Sequence, residues 1–122
     1  MNNIEFGRSG EQIAADYLKR NGFRILERNF RSGRYGEVDI IASEGEYICF
    51  IEVKTRTGNA FGTPAEAVGA SKQQKIRSLA WIYLKQKGMG DRYMRFDVIE
   101  VIGRRSDKGL LPEKINLIRG AF

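Results

Sequence analysis

Two charged residues stand where the chain should be apolar. The run Cys49-Phe50-Ile51-Glu52-Val53-Lys54 has the composition of a central strand buried on both faces, and such strands avoid charge. Glu52 and Lys54 are two residues apart, so in an extended chain both point to one face. An unpartnered buried charge is costly, so partners are expected close by. The run Val38-Asp39-Ile40-Ile41 offers one, because Asp39 is equally embedded in apolar neighbours. If the two runs pair as a hairpin through Glu44-Gly45-Glu46, Asp39 and Glu52 fall opposite each other, give or take one residue. Two opposed carboxylates repel unless something neutralises them, and a divalent cation does so. A backbone carbonyl, such as that of Val53, completes its shell. Lys54 then stands beside the metal-bound water, where it orients that water or stabilises charge developing on phosphorus. The alternative is a purely structural ion network of Asp39, Lys54 and Glu52, which leaves one negative charge unbalanced.

Composition narrows the chemistry further. The chain has no histidine and a single cysteine, Cys49, which lies in an apolar run and reads as a small buried side chain. Ser-His-Asp and Cys-His catalysis are excluded, as are zinc sites built from His and Cys. A metal must be held by oxygen, which points to Mg²⁺ or Mn²⁺. A net charge of +6 favours polyanionic partners such as nucleic acid. With 122 residues, the expectation is one domain, spanning 1–122, with a real core. No apolar run is long enough for a membrane span, and Met1 to Gly10 does not read as a signal peptide, so a cytoplasmic location is expected.

The elements that must position these residues follow from pattern. Ser9-Gly10-Glu11-Gln12 fits a capping box, and the spacing of Ile13, Ala14, Tyr17 and Leu18 predicts a helix from about Gly10 to Asn21. Strands are predicted over Phe23–Phe30, Glu37–Ser43 and Tyr47–Thr55, joined by turns too short for crossovers and therefore antiparallel. A helical turn is expected from Pro64 to Val68. A second capping box, Ser71-Lys72-Gln73-Gln74, opens a helix that ends at Gly88. Strands at Tyr93–Ile102 and Lys114–Ile118 follow, separated by a polar loop over Gly103–Pro112. The order αβββαββ, with a helix between the third and fourth strands, predicts an α/β domain. Its mixed sheet of about five strands is flanked by helices, with a core near 8–102 and a C-terminal loop and short strand at 103–122.

Asp39 followed by Glu52-Val53-Lys54 on the next strand resembles the PD-(D/E)XK signature of the restriction-endonuclease-like superfamily. More closely, the chain is similar to the YraN-type family of uncharacterised bacterial proteins. The matching segments include Gly10-Glu11, Ala14-Ala15 and Leu18, then Gly22, Ile25-Leu26, Asn29 and Arg31. They continue through Gly36-Glu37-Val38-Asp39-Ile40-Ile41, Phe50-Ile51-Glu52-Val53-Lys54 with Arg56, and Arg95-Phe96-Asp97-Val98. The likeness covers about residues 8 to 102, with Val38 where the superfamily name has proline. It implies a restriction-endonuclease-like fold similar to archaeal Holliday-junction resolvases. It also implies that Asp39 and Glu52 ligate metal, that Lys54 is the catalytic lysine, and that Glu11 joins the metal-binding acids. Resolvases act as dimers, so a homodimer is the matching assembly.

Several other residues carry two readings each. Glu11 lies in the first turn of its predicted helix, where the dipole alone favours a carboxylate. Arg31, Arg34, Arg56, Lys72 and Gln73 are candidates for nucleic-acid contact, against the plainer reading of a solvated face. Glu37 reads as a strand-end charge. Asp97 is expected to pair with Arg95, Arg56 or Lys72 in a structural role, and Trp81, Tyr83 and Phe61 as packing residues. The function expected is a metal-dependent endonuclease hydrolysing phosphodiester bonds in DNA, branched DNA included. The alternatives are a non-catalytic nucleic-acid-binding module with the same fold, and a protein-interaction domain.

Overall fold

A computed structural model describes residues 2–57 and 68–122, and the helical turn expected from Pro64, like Phe61, lies outside the described residues. The elements are α1 (Asn3–Arg20), β1 (Arg24–Arg31), β2 (Glu37–Glu44), β3 (Tyr47–Thr57), α2 (Ala70–Gln86), β4 (Tyr93–Ser106) and β5 (Gly109–Ile118). They form one five-stranded sheet in the order β1-β2-β3-β4-β5. Pairing is antiparallel except between β3 and β4, where the chain crosses over through α2 and returns parallel. The αβββαββ order and mixed sheet are those expected.

The helices cover opposite faces. Ala14, Ala15 and Leu18 of α1 pack on Ile40, Ala42, Cys49, Ile51, Ile99 and Val101. Ile76, Leu79, Ala80, Tyr83 and Leu84 of α2 pack on Ile41, Ile48, Phe50 and Val98. β3 is therefore buried on both sides over Ile48–Glu52, as its apolar run requires.

Three local expectations are corrected. α1 begins at Asn3, not Gly10: Asn2 is the N-cap, and its side chain accepts from the Glu5 amide at 2.8 Å. Ser9 is inside the helix and its hydroxyl accepts instead from the Leu110 amide at 3.0 Å. α2 is capped by Gly69 rather than Ser71, with no side-chain cap among the described residues. The polar stretch at Gly103–Pro112 is not a loop but the tip of a β4–β5 hairpin turning at Asp107-Lys108. Pro112 is accommodated because β5 is an edge strand and the register shifts where Gly103 pairs with it.

Candidate metal-binding active site

The site lies where two neighbouring ladders end at different heights. The β2–β3 ladder stops at Ile40 and Ile51, whereas the β3–β4 ladder runs on to Thr57 and Gly103. One step beyond its last pair, Asp39 stands across from Glu52, as the register count expected. There β3 presents its backbone to a side chain: the Val53 N–H donates to Asp39 Oδ2 at 2.8 Å. The gap opens a cleft of about 890 Å³. Glu11, Asp39, Glu52, Val53, Lys54, Arg56 and Lys72 all line it, so the three residues first singled out share one cavity with the acid on α1.

A close helix–strand contact brings Glu11 there. Gly10 is buried, and a Cβ on it would collide with the Thr55 side chain. Only glycine lets α1 lie this close to β3 at the turn that carries Glu11. The Glu11 carboxylate accepts from Asn29 Nδ2 at 2.8 Å, and Asn29 adopts φ 55°, a left-handed backbone that asparagine tolerates better than most residues. Glu11 is thus held at the rim by the end of β1.

The electrostatics are those of acids held too close. Burial, followed by the charge of Glu52, raises the Asp39 carboxyl from 3.8 to about 8, although the Val53 amide opposes the shift and Glu11 adds to it. Glu52 is 3% exposed; its Oε1 pairs with Lys72 Nζ, while Oε2 is buried without a hydrogen-bond partner among the described residues. The Lys54 amine is pulled below its ordinary range by burial and by the facing Lys72 charge. For Lys72, burial works downward, but the hydrogen bond and charge of Glu52 outweigh it and raise the amine.

The donor set fits a hard divalent ion at its centre. Two adjacent carboxylates, one carrying an orphaned buried oxygen, are what such an ion would neutralise. Among the described residues no three His, Cys, Asp or Glu side chains converge on one metal position, so Glu11 stands at the edge of the site rather than in a formed triad.

The other candidates divide. Arg56 Nε pairs at 3.2 Å with Glu100, a buried acid on β4 that also accepts from Asn116 Nδ2 at 3.0 Å. Glu100 lies next to Lys54 in the parallel register. Sequence reasoning passed over it, although a charge inside Val98-Ile99-Glu100-Val101-Ile102 is the same signal that marked Asp39 and Glu52. Arg105 of β4 also lines the cleft, stacked on Phe6 at 4.2 Å and donating to Asn3 Oδ1 at 2.8 Å. Arg31 is paired with Glu37 at 2.9 Å in a neighbouring cleft that it shares with Arg8, Arg28 and Glu11, and it does not line the cleft of Asp39 and Glu52. Arg34 is exposed in the β1–β2 turn, and the Gln73 amide donates to the Val68 carbonyl ahead of α2 at 2.8 Å. Asp97 proves structural: fully buried, it accepts from Arg95 at 2.8 Å and from the Gly120 amide at 2.9 Å, and it does not line the cleft although it pairs with Ile51, next to Glu52. Arg95 continues to Glu44, which hydrogen bonds from Arg119 and Arg95 hold down at about 2. Among the described residues no helix is long and apolar enough to cross a membrane.

Comparison with known proteins finds relatives along most of the chain. A UPF0102 protein of Acetivibrio thermocellus is 47% identical over 116 residues, covering 95% of this chain and 89% of that protein. One from Clostridium botulinum is 48% identical over 121 residues, covering 98% and 95%. One from Rhodococcus opacus is 50% identical over 100 residues, covering 82% and 84%. The uncharacterised protein family UPF0102 matches over residues 10–101, a span that begins at the helix–strand contact and runs through every acid of the cleft. The chain belongs to the uncharacterised protein family UPF0102, the YraN-type family.

Proposed function

We propose that this protein is a metal-dependent endonuclease-like phosphodiester hydrolase acting on DNA. The observation that carries the reading is the adjacent pair Asp39 and Glu52, in which burial and then the Glu52 charge raise the Asp39 carboxyl to about 8 and a buried Glu52 oxygen has no hydrogen-bond partner among the described residues. Asp39 and Glu52 would hold Mg²⁺ or Mn²⁺, with the Val53 carbonyl and Glu11 as supporting oxygens. The ion, when bound, supplies a water of lowered pKa and positive charge toward a phosphate. Lys54 stands beside the acids and donates hydrogen bonds to the attacking water or to an oxygen gaining charge on phosphorus. Its lowered pKa eases transfer of a proton at Nζ. Arg56 and Lys72 hold non-bridging phosphate oxygens and align the backbone, with Arg105 at the far wall.

Calorimetric titration with Mg²⁺ and Mn²⁺, comparing wild type with Asp39→Ala, tests the metal site. Binding at millimolar levels that the substitution abolishes supports it, and no binding by wild type refutes it. A panel of single-stranded, duplex, flap and four-way DNA with either metal tests hydrolysis. A second reading, a non-catalytic nucleic-acid-binding module, is favoured by the Glu52–Lys72 pair, which neutralises one acid without a metal. It predicts salt-dependent DNA binding that survives Asp39→Ala and Lys54→Ala, with no cleavage of any substrate.

A further inference from the structure

A further cavity, of about 520 Å³, borders the same two acids. It lies between the β1–β2 turn and the start of α2, with Tyr35, Lys72, Lys75 and Ile76 in its wall. The turn is bracketed by Gly33 at φ 58° and Gly36 at φ 83°, and it holds Tyr35 outward, 43% exposed and in neither core cluster. The facing end of α2 has no acid in its first turn and no side-chain cap among the described residues. Lys75 reinforces its peptide dipoles, and Lys72 beside it is paired with Glu52, so a phosphate there would share Lys72 with that acid. Glu52, whose Oε2 is buried with no hydrogen-bond partner among the described residues, forms part of the shared wall, so the cavity opens directly onto the candidate catalytic acids. Glu37 also borders it, but its carboxylate is already paired with Arg31.

An aromatic ring opposite a cationic helix start, beside a phosphodiester-cleaving centre, matches one nucleotide. We infer that this cavity takes the nucleotide next to the scissile phosphate, its phosphate at Lys72, Lys75 and the first turn of α2 and its base lying on Tyr35. A base stacked inside a duplex presents only its edges, so Tyr35 receives a base that is unpaired. The substrate class is therefore a polynucleotide with an unpaired nucleotide at the cutting point, such as a single strand, flap or branch. The inference rests on the nuclease reading above.

The test is fluorescence anisotropy in EDTA with fluorescein-labelled single-stranded, flap and fully paired DNA, followed by cleavage of the same three in Mn²⁺. Wild type is expected to bind and cut the first two in preference to paired DNA. Tyr35→Ala should lose affinity for them by roughly 5- to 150-fold, the worth of one base–aromatic stack. Tyr35→Phe should retain it, and Trp81→Ala, an exposed aromatic outside the cavity, should leave it unchanged. Equal handling of paired and unpaired DNA, or Tyr35→Ala binding as wild type does, overturns the inference. Cleavage with no preference leaves the nuclease reading standing while this one falls. Tyr35-dependent binding of single strands with no cleavage of any substrate overturns the nuclease reading, and with it the placement at a scissile phosphate, and leaves only an unpaired-nucleotide binding site at Tyr35.

Discussion

Asp39→Asn should make the metal-free protein more stable, and increasingly so as pH rises. The folded protein holds the Asp39 proton up to about 8, whereas the unfolded chain releases it near 3.8. A carboxyl raised in this way contributes its full stability below the unfolded value, and that contribution is lost as pH climbs toward the folded one. The interval corresponds to a ceiling of roughly 5–6 kcal/mol at about 1.36 kcal/mol per decade. Relaxation of Glu52 and water entry reduce what is realised, to ~2–3 kcal/mol. Asparagine imitates the protonated acid: it keeps an oxygen for the Val53 amide and removes the charge that Glu52 and Glu11 oppose. Urea denaturation in EDTA at about pH 5 and about pH 9 measures it, with the variant's advantage growing by ~1–2 kcal/mol or more between the two. A divalent ion that binds only the folded wild type should narrow the gap. If Asp39→Asn is less stable than wild type at the higher pH, or the two curves stay parallel, the crowded-acid account is wrong.

Three further predictions follow from the frame around the site. Gly10→Ala should destabilise by ~1–3 kcal/mol in thermal melts, because the added methyl meets Thr55, and Thr55→Gly should recover part of the loss. Glu100→Ala strips the carboxylate from Arg56 and Asn116 and should cost ~2–3 kcal/mol in urea denaturation, with Glu100→Gln costing less because its carbonyl still accepts from Asn116. Burial, with the Asp97 charge behind it, pushes the Cys49 thiol up to about 12, so thiol reagents at mildly alkaline pH should leave it unlabelled until the protein unfolds.

Much of this molecule was legible because charges in apolar strands are self-announcing. The turn at Gly45 set the hairpin register, and register placed Asp39 across from Glu52 without any long-range information. The meander and the crossover followed from connection lengths. The first capping box misled because a serine followed by a glutamine three residues on does not reveal what else the hydroxyl can reach, and the second because α2 already starts after Gly69. Ser9 is used across the molecule, on Leu110, while Asn2 starts the helix a full two turns earlier. Both strands of the β4–β5 hairpin were expected, but its outer part at Gly103–Pro112 was read as a loop because it is polar at an exposed edge, where pairing rather than burial makes the strand. That Arg56 pairs with Glu100 depends on parallel register between β3 and β4, which no local pattern encodes.

The contact between Gly10 and Thr55 makes the spacing between Glu11 and the sheet acids a property of two rigid elements, not of a loop. The width of the cleft is therefore a dimension that one methyl group can reset. Side chains of graded size at position 10 would act as shims of increasing thickness, prising the helix from the strand while the other acids stay put. A family of such variants would be a ruler for how far apart the outer and inner carboxylates can stand before the proposed metal binding weakens.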